Sequence, residues 1–295
     1  MMTTSISPEL MKQLEKAQLD EEYGAALYAF MAGREKNEQN KQLLTQMARE
    51  ERQHAAVWKG LTGKALKPGV LRLFWLKLLT VVLGFTFAVK TMQKNERFAQ
   101  SDYESLQSVL PSAAAMLTDE RRHENDLYNM LDEERLHYVG AMVLGLNDAL
   151  VELTGAIAGV TFALANTKLV AMTGIITGIS ATLSMAASNF LAERAQGNKN
   201  ALKSSLYTGA AYLVTVALLV LPYLLLPTGM YAAAFAVMIA LALLIILFFN
   251  YYLSVAKEEP FLRRFGEMAL ISLSVALISF FIGVLAKNLL GIDAA

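Results

Sequence analysis

The chain has no cysteine, which removes disulfides, thiolate zinc sites, iron–sulfur clusters and any thiolate-held electron-transfer centre from consideration. It has no excess charge of either sign. Lysine and arginine number 26, aspartate and glutamate 26, so a nucleic-acid partner has no electrostatic support. The N-terminus, MMTTSISPELMKQLEKAQ, lacks the basic start and apolar core of a signal peptide, and the expectation is that it stays in the cytoplasm. Histidine is scarce, with three in 295 residues, yet each follows a glutamate by three positions: Glu51/His54, Glu120/His123 and Glu134/His137. That spacing puts a carboxylate and an imidazole on one face of a helix.

Upstream of the first two pairs stands a glutamate with a tyrosine seven residues after it, Glu21 with Tyr28 and Glu96 with Tyr103. The same half-site is thus written twice. A dinuclear carboxylate centre in a helix bundle takes a Glu from two helices and a Glu-x-x-His from the other two, and Glu21, Glu51, His54, Glu96, Glu120 and His123 supply that set in chain order. One Glu-x-x-His alone is usually a solvated face; its repetition with matched Glu and Tyr makes metal the better reading. Tyr28 and Tyr103 are expected to hydrogen-bond ligand carboxylates. The acids beside the ligands, Glu22, Glu50 and Glu124, point about 100° away and read as surface or access-route groups.

Register supports the choice. Around a turn near residue 38, Glu21 lies about 17 residues before and Glu51/His54 about 13–16 after, the same height at roughly 1.5 Å per residue. Around Pro111, Glu96 lies about 15 before and Glu120/His123 about 9–12 after. Glu134/His137, about 23–26 residues past that turn, would stand more than four helical turns from its best partner, Glu104, and is expected to lie outside the site.

Composition divides the chain into residues 1–138, which hold nearly all the acids and every histidine, and 139–295, a series of apolar runs long enough to cross a hydrocarbon core of roughly 30 Å. Five spans are expected, at about 139–164, 169–191, 205–226, 230–253 and 267–287. Arg194, Lys199 and Lys203, and then Lys257, Arg263 and Arg264, occupy alternate loops, which places the N-terminal part in the cytoplasm and the C-terminus outside. The stretch 70–89 is nearly span length but contains Arg72 and Lys77, at about 2.5–3.5 kcal/mol each near a bilayer centre. If it crossed, the half-sites would be separated, so it reads as an interfacial or bundle-packing helix with its basic residues at headgroup depth. Within the five spans Asp148 and Glu152, four residues apart, are the ionisable groups well inside an apolar run, and intramembrane acids are functional candidates by default. Asn147, Met185 and Asn189 offer further soft or polar ligands for a transition-metal cation.

Residues 18–60 and 92–128 resemble the rubrerythrin branch of the ferritin-like superfamily in the placing of the ligand glutamates and Glu-x-x-His pairs. The resemblance implies two irons (or an iron/manganese pair) and oxidation of ferrous iron by oxygen or peroxide; the cysteine-ligated electron-transfer module of that branch is missing here. Residues 139–290 resemble the vacuolar iron transporter family in Gly145-Leu146-Asn147-Asp148, Ser184-Met185-Ala186-Ala187, Tyr207-Thr208-Gly209 and Pro222. That likeness implies a dimeric, proton-coupled exporter of Fe²⁺ or Mn²⁺ with Asp148 and Met185 on the metal pathway. Asn189 stands where many of that family carry a glutamate, and the loop 193–204 is too short for the metal-binding helices some members insert there. The expected fold is all-α, a ferritin-like four-helix bundle (1–138) followed by a five-span membrane domain (139–295), in a bacterial or archaeal inner membrane. The expected function is iron export with a cytoplasmic di-iron domain that captures, oxidises or senses iron; a membrane-anchored di-iron oxidase or peroxidase is the alternative.

Overall fold

The computed structural model describes residues 7–107, 110–131 and 133–291, and for 133–137 the backbone alone. Among these residues the chain is all helical: α1 (Pro8–Ala32), α2 (Glu38–Thr62), α3 (Val70–Leu106), α4 (Pro111–Asn129), α5 (Glu133–Leu164), α6 (Thr167–Ala195), α7 (Ala201–Leu225), α8 (Tyr231–Ala256) and α9 (Phe261–Leu290). It divides into two compact units, Met1–Asp132 and Glu133–Ala295. The boundary expected at residue 138 falls inside α5, which runs unbroken from Glu133.

The helix ends of the first unit are written locally. Ser7 accepts from the Leu10 N–H with Pro8 opening α1, and Asn37 accepts from the Gln39 and Asn40 N–H groups to open α2. Gly63, at φ 67°, closes α2 in the left-handed conformation that glycine adopts without a Cβ clash. Inside α3, Gly84 takes φ 85° and ψ 175°, so α3 is two helical pieces joined at a kink.

The four helices of this unit build three layers. Leu27, Tyr28, Leu44, Met47, Val89, Met92 and Leu127 form one apolar cluster. Leu14, Trp58, Tyr103, Leu106, Met116 and Leu117 form another. Each helix contributes to both, and between its two contributions lie Glu21, Glu51, Glu96 or Glu120. The order of the layers along the chain makes α1 antiparallel to α2 and α3 antiparallel to α4. A buried polar sheet of acids is therefore held between two oily ones, the costliest place for unpaired charge.

In the second unit α5 packs on α6, α7, α8 and α9, and α6 on α7. Its core includes Leu150, Leu153, Ile157, Tyr212, Leu219, Tyr223, Met238 and Ile246. Small residues bring the backbones together: Gly145 lies against the Thr208 carbonyl, and Gly159 and Gly283 face each other, so that a Cβ at Gly283 would collide with the Gly159 backbone. Six helices among the described residues are long and apolar enough to cross a membrane, α3 and the five from Tyr138 onward. The sequence expectation was five, and α3 meets the length only when its two pieces are counted across the kink at Gly84.

Candidate functional site

The register of the two hairpins delivers six side chains to the middle layer of the first unit. Glu21, Glu51, His54, Glu96, Glu120 and His123 are all buried, His123 completely. They form two overlapping groups, Glu21, Glu51, His54 and Glu120, and Glu51, Glu96, Glu120 and His123, in each of which one ligand atom per residue lies within 4.8 Å of the others. Glu51 and Glu120 belong to both. Two carboxylates shared between two groups, each group completed by its own histidine and its own glutamate, is the donor arrangement of a dinuclear centre with bridging carboxylates.

The inner faces of these side chains are short of partners. His54 Nδ1 stands 3.2 Å from Glu120 and 3.4 Å from Glu21, and His123 Nδ1 stands 3.2 Å from Glu51 and 3.8 Å from Glu96. Yet Glu21 Oε2, Glu51 Oε1, Glu120 Oε1 and both Nδ1 atoms are buried without a hydrogen-bond partner. Buried polar atoms are nearly always satisfied; a set of orphans converging on one point suits a cation. Electrostatics agrees. Burial and the surrounding carboxylates hold Glu51 and Glu120 well above the usual carboxylate range. Burial opposes charge on His54 and His123, but the acids around each outweigh it and raise both imidazoles. Without a cation the layer therefore keeps protons, and these must leave when metal enters.

The outer contacts fix the ligands. Tyr28 on α1 donates to Glu96 on α3, and Tyr103 on α3 donates to Glu21 on α1, so each tyrosine serves the other half-site rather than the glutamate seven residues before it. Trp58 Nε1 donates to the Tyr103 hydroxyl at 3.2 Å. The far nitrogen of each histidine meets a carboxylate: His54 Nε2 is 3.3 Å from Asp119 and His123 Nε2 is 2.8 Å from Glu50. Arg122 joins these acids, at 3.0 Å from Glu50 and 2.9 Å from Asp119. Glu50 is thus not the surface or access-route acid that its angle on α2 suggests, and Asp119 was missed altogether. A signal existed: an acid immediately precedes the shared ligand in both halves, Glu50-Glu51 and Asp119-Glu120, and reaches the histidine of the opposite pair. Such carboxylate–histidine contacts set the tautomer and orient the ring.

Room at the cluster is made by Gly24, where a Cβ would run into the Glu51 carboxylate. Beside it a cavity of about 420 Å³ reaches from Glu21, Glu51, Glu96 and Glu120 outward to Lys16, Asp20, Arg72 and Asp102. The Glu134 and His137 side chains lie outside the described residues.

In the second unit the residues singled out are divided among separate surroundings. Asp148 is half-buried on α5, and Glu152, one turn on, is exposed on the single chain and accepts from the Tyr212 hydroxyl at 2.9 Å. Tyr212 itself is fully buried and was not foreseen. Asn147 turns instead into a polar cavity of about 530 Å³ with Asn250, Glu259, Arg263 and Glu267. Asn189 is buried and donates to Ser204 and Thr208 on α7, at 3.2 and 2.8 Å, and Met185 is half-buried against the apolar core.

No curated protein and no solved structure matches the chain. Residues 139–199, which take in most of α5, all of α6 and the turn that follows, match the VIT family, and the match does not extend to the first four helices. Together with helices that are by length and composition able to cross a membrane among the described residues, that match fits an integral membrane protein.

Proposed function

We propose that the protein exports Fe²⁺, and Mn²⁺ as a second substrate, across a membrane in exchange for protons, and that its first four helices form a ferritin-like di-iron domain on the cytoplasmic side that captures the metal. The observation that carries this reading is the pair of overlapping ligand groups sharing Glu51 and Glu120, in one chain with a VIT-matched unit that presents two acids on its first helix. In the di-iron domain Glu21 and His54 would hold one metal, Glu96 and His123 the other, with Glu51 and Glu120 bridging. Bound iron there would supply one-electron chemistry toward oxygen or peroxide. The chain's own part is to place the ligands through Tyr28, Tyr103, Glu50 and Asp119, to shed protons as metal binds, and to leave one cavity as the way in.

In the membrane unit a carboxylate at Asp148 attracts a divalent cation and can exchange it for a proton, while Tyr212 holds Glu152 in place. An exposed glutamate on a helix of membrane-crossing length is costly against lipid. A second copy of the chain would cover it, which supports a homodimer. The alternative reading, a membrane-anchored di-iron oxidase or peroxidase, is favoured by the cavity that opens onto the cluster; a mere anchor has no use for Asp148 and Glu152.

Flux of Fe²⁺ or Mn²⁺ into proteoliposomes under an imposed proton gradient tests the proposal. Flux that depends on protein and gradient is expected. A protein that turns over ferrous iron with peroxide but carries no metal across the bilayer would establish the anchored enzyme instead.

A further inference from the structure

The first piece of α3 carries its apolar side chains outward. Leu71, Phe74, Trp75 and Val82 are exposed, Trp75 by 53%, and they recur at the spacing of one helix face. The basic residues of the same piece turn the other way. Arg72 lies over the Tyr23 ring at 4.4 Å and Lys77 over the Phe30 ring at 5.4 Å, both on α1. The piece is thus tied to its own unit by its cations and offers an unpartnered oily stripe to the outside.

Crossing a bilayer does not explain that stripe. The helix is interrupted at Gly84, leaving Val70 to Leu83, about 21 Å at 1.5 Å per residue against a hydrocarbon core of about 30 Å. Beyond the kink, Ala88, Val89 and Met92 are already buried in the apolar cluster with α1 and α2, and Glu96 is in the ligand layer. No further length is free. Charge points to what lies against the stripe. Between Lys64 and Arg97 the chain has seven lysines and arginines and one acid, Glu96, and that acid is buried. Lys64 and Arg97 pair with Glu15 and Glu124, while Lys67, Lys90 and Lys94 flank the piece along the chain; a short helix with an apolar stripe flanked by lysines has the pattern of a segment that lies in the headgroup region of an anionic bilayer. A bilayer is at hand, since helices long and apolar enough to cross one begin at Tyr138, seven residues after Leu131.

We propose that residues 70–83 form a lipid-docking helix, which lies in the plane of an anionic membrane surface with Leu71, Phe74, Trp75 and Val82 at the level of the upper acyl chains. The test uses the full chain in vesicles whose lipids carry bromine either shallow or deep along the acyl chains. The chain has two tryptophans, and Trp58 is buried among side chains of its own unit, so the difference between the wild type and Trp75→Phe isolates Trp75. Trp75 fluorescence is expected to be quenched several-fold more by shallow than by deep bromine, and more in vesicles containing anionic lipid than in purely zwitterionic ones. The double variant Leu71→Glu/Val82→Glu should lose this quenching. Strongest quenching by deep bromine would mean that the segment crosses the bilayer, and no quenching at either depth would mean that protein or water covers the face; either overturns the proposal. Since there is no native cysteine, Val82→Cys adds one thiol, and its efficient oxidation to a disulfide-linked dimer in the same vesicles would show that a second copy is the occupant.

Discussion

The two units handle buried charge in opposite ways. The four-helix unit packs four glutamates and two histidines into one buried layer, in which Glu21, His54, Glu96 and His123 each meet a partner from another helix. The five-helix unit has two acids on α5, of which one is half-buried and the other exposed on the single chain, steadied by Tyr212. A closed layer suits holding metal, because desolvated ligands bind tightly and lose protons only when a cation replaces them. An open pair suits passing metal on, because a site completed by another molecule or by water releases what it binds.

That contrast can be broken at several points. The largest effect is expected from Asp148→Asn, which keeps volume and removes the charge facing the cation: flux in proteoliposomes should fall to the level of protein-free vesicles while the metal content of the purified chain stays the same. Wild-type flux would remove Asp148 from the path. Next, Glu51→Ala and Glu120→Ala should each cost both metals by elemental analysis of the full chain, whereas Glu21→Ala, His54→Ala, Glu96→Ala and His123→Ala should each cost one, because the first two residues belong to both ligand groups. Equal losses from all six variants would show that the carboxylates do not bridge.

Smaller changes sharpen the picture. Removing an outer-shell partner with Glu50→Gln or Asp119→Asn should weaken metal affinity about 10–100-fold, chiefly at the half-site whose histidine it contacts, and Arg122→Met should weaken both half-sites mildly. Competition against a chelator of known affinity reads this; an unchanged affinity in all three would make the carboxylate–histidine contacts ornamental. Gly24→Ala must displace Glu51, an overpacking cost of about 1–3 kcal/mol, so metal affinity should drop and thermal unfolding of the metal-free chain should fall by several degrees. Smallest of all, Glu134→Gln with His137→Ala should leave metal stoichiometry as it is, given the hairpin register and two ligand groups that already have four donors each.

Helical periodicity carried much of the architecture into plain view. The turn expected near residue 38 lies at the observed Asn37 cap because asparagine and polar turn residues act locally. On α2 and α4 the two donors are one turn apart, a distance that spacing expresses directly. Contacts between helices were not expressed in that way. Nothing within α2 says that Glu50 will meet a histidine on α4, and nothing within α4 says that Asp119 will meet His54; the sequence shows only that both acids precede a ligand. Residues 70–89 were hard to place for a different reason. Their composition is that of a span, and only the φ of Gly84 and the docking of Arg72 and Lys77 on aromatic rings reveal a short helix that shows its oily side. In the membrane unit, single-helix patterns put Asn147, Asp148, Met185 and Asn189 together, while packing sends Asn147 to one cavity and Asn189 to the hydroxyls of α7.

The three-layer build of the first unit also bears on how an ion would come and go at the proposed metal centre. All four helices are pinned above and below the acids by apolar clusters, so they cannot splay at one end to expose the ligands without tearing a core. On the proposed reading exchange would run sideways, through the cavity lined by Asp20 and by Lys16 and Asp102, an ion pair 2.8 Å long and exposed to solvent. Traffic at that gate is then a matter of surface electrostatics. Added salt, which screens exposed charges over a few ångströms to about 10 Å, would change how fast ions arrive and depart while leaving the strength of their final grip nearly untouched.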